Sequence, residues 1–472
     1  MANLEKVNEH PEPGFGSALL CCSGILVIII ASVFFIKIEL HIALILALIW
    51  AAFNAALLGF RFRDTKALMN DGVIAAVGAI YIFMLIGVVI AALIESGTIA
   101  GIIVYALGVV DPRWFLPACL LLCSFMSMAT GTSWGTVGTA GVVLVGLGEF
   151  IGLPAPMVAG AVISGALFGD KMSPLSDTTI LAATAVGTEV DQHIRAMFYS
   201  TGPTFIIILL VFGLLSFRYA GAELSLTEID ALRQLLLDQF SVNLLVFLPL
   251  LVIISMSFMR MAAEPSMMAG TAVAVIIAKF LQEREFSEIL YSLQYGYVSE
   301  SGIASVDTLL TRGGLQSMMW TLSLALIALA LGGILNGAGF LKVLVSGLIK
   351  RIKTATQLVA STIATCILAN MSMGENYLAV IFGSRIYKDT YQERGLQPRM
   401  LSRCVEEGAT LSAGLIPWTT TGAFFSAALG VSTAQYAPWV LLSSFNMVIS
   451  IGLTALGKGI LKKRTHKTQK TI

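Results

Sequence analysis

Charge is scarce in this sequence. Only 12% of its 472 residues are Asp, Glu, Lys or Arg, where an ordinary soluble domain carries about 25%. With 57% hydrophobic residues and a mean hydropathy of +0.87, a water-soluble globular protein is excluded. Neither sign is in excess, 29 Lys and Arg standing against 28 Asp and Glu, so a nucleic-acid partner is not expected. Histidine is rarer still. His10 and His466 lie in the tails, His41 at a span boundary and His193 in a turn, which leaves no His-based metal centre. The six cysteines form no CxxC pair and make neither a disulfide framework nor a zinc site. Ser-His-Asp sets and phosphate loops are missing as well, so an enzyme is not expected, nor a cofactor. Residues 1–16 carry Glu5, Lys6, Glu9 and Glu12 without a basic n-region; a cleaved signal peptide is not expected, and the first apolar run should stay as a membrane helix.

What the chain has in abundance is apolar runs, recurring from Ser17 to Gly457. A bilayer core of about 30 Å needs about 20 apolar residues per helix. Ordinary spans fall at 17–37, 41–60, 72–94, 195–217, 240–259, 265–281, 314–336 and 437–457. Two pairs of segments differ. Residues 114–150 and 356–387 are apolar but interrupted by polar, glycine-containing centres, and 156–187 and 399–430 contain Pro174 and Pro417. The expected fold is an all-α polytopic membrane protein whose chemistry sits in those four segments.

Sliding the chain on itself by 243 positions explains the pairing. Without a gap, 13 of the 60 positions 128–187 are identical to their partners, among them Met128 and Met371, Gly131 and Gly374, Gly165 and Gly408, Pro174 and Pro417, and Gly187 and Gly430. A shared proline and four shared glycines in one register read as an internal repeat.

Basic residues orient the two copies. With 61–71, 339–354, 385–403 and 457–472 on the cytoplasmic side, together with Lys6, Arg195 and Arg260, that side holds 21 of the 29 Lys and Arg and the other side seven, which puts both termini in the cytoplasm. The equivalent loops 147–156, without a basic residue, and 385–399, which is basic, then lie on opposite sides. The repeats are expected to be inverted, each with about five crossings, one re-entrant hairpin (114–150 or 356–387) and one broken helix (156–187 or 399–430). Residues 1–217 form the first repeat, 218–239 an extracytoplasmic linker, 240–457 the second repeat and 458–472 a basic cytoplasmic tail. Short segments near 98–109 and 340–351 are expected to lie along the interface.

Irregular backbone and ionisable groups at membrane depth persist only where protein or water satisfies them, so they mark the pathway. The first hairpin centre reads Thr130-Gly131-Thr132-Ser133, and the first break reads Gly169-Asp170-Lys171-Met172-Ser173-Pro174-Leu175-Ser176-Asp177-Thr178-Thr179. Pro174 removes a backbone donor while hydroxyls compete for backbone groups. The unwound stretch should offer carbonyl, hydroxyl and carboxylate oxygens, which suit a hard alkali cation. Asp177 is the leading carrier, since proton and sodium compete for a carboxylate in a poorly hydrated cavity, though it can also cap the second half-helix. Asp170 and Lys171 read either as a local ion pair or as cation contact by Asp170. Ser173, Ser176, Thr178 and Thr179 complete the first-repeat set, a sodium site. The second repeat offers Glu375 and Asn376 at its hairpin and Thr419, Thr420 and Thr421 after Pro417. Of the adjacent Glu406 and Glu407, one should point inward and the other pair with Arg403 or solvent.

The eleven-residue run 169–179, with Thr130-Gly131-Thr132-Ser133-Trp134-Gly135-Thr136 upstream, resembles the NhaC-type sodium/proton antiporter family, and the resemblance extends over nearly the whole chain. It implies a secondary active transporter of the cell membrane exchanging sodium for protons, often dimeric, with elevator-like alternating access. That family also contains exchangers coupling sodium and protons to malate or lactate and relatives assigned to amino-acid transport. Thr419 stands where similar members carry Asn after Pro-Trp, and Glu406-Glu407-Gly408-Ala409-Thr410 replaces a Glu-Asp pair followed by Ser-Gly-Thr. Coupled transport of a small organic acid or amino acid is therefore the alternative reading. The expected partners are lipid, the transported ions, such a solute if there is one, and a second copy of the chain.

Overall fold

A computed structural model describes residues 12–106, 111–219, 226–259, 261–302, 307, 310–350 and 352–462. The tail beyond 462, residues 220–225 of the 218–239 segment, residues 107–109 and 351 of the two interfacial segments, and His10 and His466 lie outside these. The described chain is helical, without a named strand; its one isolated bridge joins Leu396 and Lys462. Seven helices among the described residues are long and apolar enough to cross a bilayer, or nine if two bent pairs are each counted as one span. Large apolar side chains such as Phe53, Leu210, Leu214 and Val448 are exposed on the outer helices, as lipid-facing residues must be. The protein is a multi-pass membrane protein.

The first half runs α1 (Phe15–Ile30, continued by a π turn to Ile36), α2 (Leu40–Leu57), α3 (Phe62–Ile74), α4 (Val77–Glu95), α5 (Thr98–Ala106), α6 (Pro112–Thr130), α7 (Ser133–Thr136), a π turn Val137–Gly141, α8 (Val142–Phe150), α9 (Ala155–Met172), α10 (Asp177–Val186) and α11 (Val190–Tyr219). The second runs α12 (Leu226–Gln239), α13 (Leu248–Phe258), α14 (Ala263–Phe280), α15 (Phe286–Tyr295), α16 (Met319–Gly337), α17 (Phe340–Ile349), α18 (Ala355–Met373), α19 (Asn376–Glu393), α20 (Pro398–Ala413), α21 (Thr420–Leu429), α22 (Thr433–Tyr436) and α23 (Leu441–Ala455). Two departures from the sequence reading have one cause. The 72–94 span is divided, α3 ending at Ile74 before α4 begins at Val77, and the 218–239 segment contains α12. Both α3 and α12 are amphipathic, with charges that mask them from a search for apolar runs.

Helix limits recur at the offset of 243. Helix α6 maps onto α18 at both ends, the arm 133–150 onto α19, and α10 onto α21. Local chemistry accounts for this. Each hairpin turns on a glycine in the left-handed region, Gly131 (φ 73) or Gly374 (φ 68), where a Cβ is strained. The breaks follow from Pro174 and Pro417, and α10 and α21 restart on Ser176 and Thr419, whose hydroxyls accept from Thr179 N at 3.3 Å and Gly422 N at 3.0 Å.

Each hairpin clasps the broken helix that follows it, through equivalent carbonyls. Ser127 Oγ donates to Ala166 O (2.7 Å), and at the partner position Asn370 Nδ2 donates to Ala409 O (2.5 Å). The carbonyl of Met128 accepts from Ser173 Oγ, and that of Met371 from Trp418 Nε1, both at 2.8 Å. Hairpin tips thus meet the middle of the broken helices: a Cβ on Gly131 would stand 2.8 Å from the backbone of Leu175, and Thr420 N donates to Gly374 O (2.8 Å). The two halves also interlock, α10 packing on α19 and α20, and α21 on the π turn of the first hairpin.

Loops gather in two groups. In one, Arg312 reaches Glu149 (3.6 Å) and Leu429 O (3.3 Å), Arg284 lies 3.8 Å from Glu95, and Gln282 Nε2 donates to Ser96 O. In the other, Arg399 donates to Gln192, Arg394 to Ile352 O, Gln397 N to Leu461 O and Arg403 to Gly459 O.

Candidate functional site

Between the hairpin tips and the two breaks lies a cavity of about 670 Å³. Of the residues singled out from the sequence, Thr130, Gly131, Thr132, Ser133, Asp170, Asp177, Thr178, Glu375, Asn376 and Thr421 line it. Ser173, Ser176, Thr179, Thr419, Thr420 and Glu406 do not, and the first five of these hold the walls in place. Ser173 caps Met128 O, Thr179 Oγ1 donates to Asp170 O (3.3 Å), Ser176 and Thr419 start their helices, and Thr420 Oγ1 donates to Glu375 Oε2 (2.6 Å).

The two aspartates of the first break differ in their surroundings. Asp177, the first residue of α10, is exposed to the cavity. Its Oδ1 accepts from Thr178 N (2.8 Å) and its Oδ2 from Tyr377 Oη (2.5 Å). Asp170 is 3% exposed; its Oδ2 accepts from Ser133 Oγ (2.7 Å), and its Oδ1 accepts no hydrogen bond, although the Ser176 hydroxyl stands beside this carboxyl. A buried carboxylate oxygen left unpaired is costly and is the atom best placed to take a cation. Both oxygens of Asp177, the leading carrier from the sequence, are engaged by protein donors, and one oxygen of Asp170 is not.

Lys171 does not form the local ion pair with Asp170 that its position suggested. Its Nζ is fully buried without a hydrogen-bond partner, with Glu406, Glu407 and Asp170 as the carboxylates around it. The glutamate pair divides accordingly. Glu406 stands beside the hydroxyls of Thr178 and Thr410 without bonding to either. Glu407 turns the other way, accepting from Ser200 Oγ and from Ser450 Oγ (2.6 Å), with Arg403 Nε at 3.8 Å. His193 is buried and bonded to Ser402 Oγ (2.8 Å).

Tyr377 escaped the sequence reading, because an aromatic in an apolar helix carries no signal of its own. The register held one: position 377 is the copy of Trp134, and both side chains reach into the opposite repeat, Trp134 stacking on Phe424 with centroids 4.4 Å apart. Charged groups on the cavity wall are Asp170, Asp177, Glu264 and Glu375; among the described residues no Lys, Arg or His lines it.

Paired hairpins and broken helices around an acidic cavity in a polytopic bundle define a membrane transport protein. The sequence model of the Na+/H+ antiporter family matches residues 15–214 and 165–458, and the chain belongs to that family. It is 35% identical over 451 residues to the Na(+)/H(+) antiporter NhaC of Alkalihalophilus pseudofirmus, covering 95% of this chain and 97% of that one. It is 33% identical to the malate-2H(+)/Na(+)-lactate antiporter of Bacillus subtilis, over 94% and 96% of the two chains, and 34% identical to the Na(+)/H(+) antiporter NhaC of the same organism, over 90% and 94%.

Proposed function

We propose that this chain exchanges sodium for protons across the cell membrane, with Asp170 as the primary cation ligand and Asp177 as the second. The observation that carries this reading is the charge of the cavity wall, with four carboxylates and no described cation facing the space. A hard oxygen-lined site of that kind favours an alkali cation, and the hydroxyls of Ser133 and Thr178 supply neutral oxygens beside the carboxylates. The sodium/proton antiporters among the relatives support the same exchange. Among the described lining residues a malate or lactate carboxylate would meet only like charge, so the organic-acid reading suggested by the second relative is the weaker one, although the volume is ample for a small solute.

In this reading the two halves are inverted repeats, with the loops around 149, 284 and 312 outside and those around 192, 352, 397 and 459 in the cytoplasm. The recurrence of helix limits at 243 and the separate gathering of those two loop groups support it. Both termini are cytoplasmic, the active form is a homodimer, transport proceeds by elevator-like alternating access, and the chain performs no chemistry on its cargo. The test is reconstitution into proteoliposomes with an internal pH dye. Sodium added outside should drive proton movement, and malate, lactate or arginine should not. Proton movement that requires an organic solute would replace antiport by solute exchange.

A further inference from the structure

The contact between Tyr377 and Asp177 joins residues 200 positions apart, one on the hairpin of the second repeat and one on the broken helix of the first. Tyr377 is the second residue of α19, and Asp177 the first of α10, and these helices pack along each other. The equivalent contact in the other direction is Trp134, second residue of α7, against Phe424 on α21, one turn beyond the copy of position 177. One fold therefore carries the same cross-repeat device twice, with different chemistry. The Trp134–Phe424 stack, with planes 9° apart and Phe83 packed edge-on to both rings, is apolar, and no ion competes for it. The Tyr377–Asp177 bond ends on a carboxylate oxygen inside the cavity, and any cation that takes that oxygen competes with the phenol.

We infer that Tyr377 is a cation-released latch: its hydroxyl ties the second hairpin to α10 while the site is empty, and sodium held between Asp170 and Asp177 displaces it and frees α10 from α19. This rests on the sodium-binding reading of those two aspartates. Tyr377 acts as a positioning residue through Asp177. Asp170 Oδ1, which accepts no hydrogen bond in the empty site although the Ser176 hydroxyl stands beside it, receives the ion first, and the exchange at Asp177 follows. The stacked pair keeps α21 fixed against the first hairpin throughout, so cation occupancy loosens one cross-repeat contact and leaves the other closed.

Tyr377→Phe keeps the ring and deletes the donor. In proteoliposomes carrying the full-length chain, with radioactive sodium and an imposed pH gradient, the KM for sodium should fall about tenfold or more, the usual worth of a hydrogen bond to a charged acceptor, without a rise in kcat. An unchanged KM overturns the latch. So does a raised KM, which would make the phenol oxygen a ligand. Hydrogen exchange on the wild type, independent of the variant's folding, gives a second readout: the amides of 376–380 should exchange faster in sodium than in choline, and equal rates overturn the proposal. A wild type that moves no sodium overturns the antiport reading and the latch together; a transporting wild type with an indifferent Tyr377→Phe overturns the latch alone.

Discussion

Asp170→Asn separates charge from shape at the atom on which the proposed site depends. The amide has nearly the volume of the carboxylate, and its oxygen can still accept from Ser133 Oγ, so the 2.7 Å bond at that position is retained. What is lost is the negative charge behind the unpartnered Oδ1. The fold should tolerate this. A buried carboxylate facing Asp177 and Glu406 becomes neutral, which offsets the about 1–3 kcal/mol cost of leaving the new amide donors without an acceptor, and the net change in stability should stay within about 2 kcal/mol. Cation binding should not tolerate it. Replacing a charged ligand by a neutral one removes a charge-assisted interaction of about 1.5–3 kcal/mol or more, a rise in the sodium KM of about 10- to 150-fold. Asp177→Asn should have the smaller effect, because both oxygens of Asp177 are already engaged by protein donors. The assay is sodium-driven proton movement in proteoliposomes, with thermal unfolding in detergent run on the same preparations. A folded Asp170→Asn protein with the wild-type sodium KM would refute the reasoning.

Lys171→Met should destabilise the protein, since it removes a buried positive charge from among Glu406, Glu407 and Asp170; adding Glu406→Gln should recover part of that loss, as thermal unfolding of the single and double variants will show. Gly131→Ala should cost about 1–2 kcal/mol from its left-handed backbone alone, and more because the new methyl meets the backbone of Leu175 at 2.8 Å; expression level and melting temperature measure it. Cysteines at 390 and 152 should be labelled by an impermeant maleimide from the cytoplasm and from outside respectively, and labelling of both from one face would end the inverted arrangement.

Much of the architecture was readable because the bilayer simplifies the code. Apolar length marks a span whatever its partners, and a glycine or proline inside such a run marks a turn or a break. The helices of 114–150, 156–187 and 399–430 begin and end within two residues of those limits, whereas the second arm of 356–387 runs on to Glu393. Helices with a polar face, α3 and α12, leave no such signature. The different surroundings of the two aspartates were beyond the sequence for another reason. Asp177 and Asp170 are separated by what touches them, and the decisive group, the Tyr377 hydroxyl, arrives from 200 residues away. Lys171 illustrates the same limit: its neighbour in sequence is Asp170, yet its surroundings also include Glu406 and Glu407 from α20.

The clasp between each hairpin and its broken helix has a consequence for how the chain enters the membrane. A break exposes backbone groups and hydroxyls that lipid cannot satisfy, and Ser173 and Trp418 find their acceptors on Met128 and Met371. Those acceptors lie 45 and 47 residues earlier in the chain. Synthesis from the N-terminus therefore delivers the hairpin first and the broken helix second, in both halves. Each break emerges with its partner already made, and the order of the segments along the gene protects the least lipid-compatible part of the fold while it is being built.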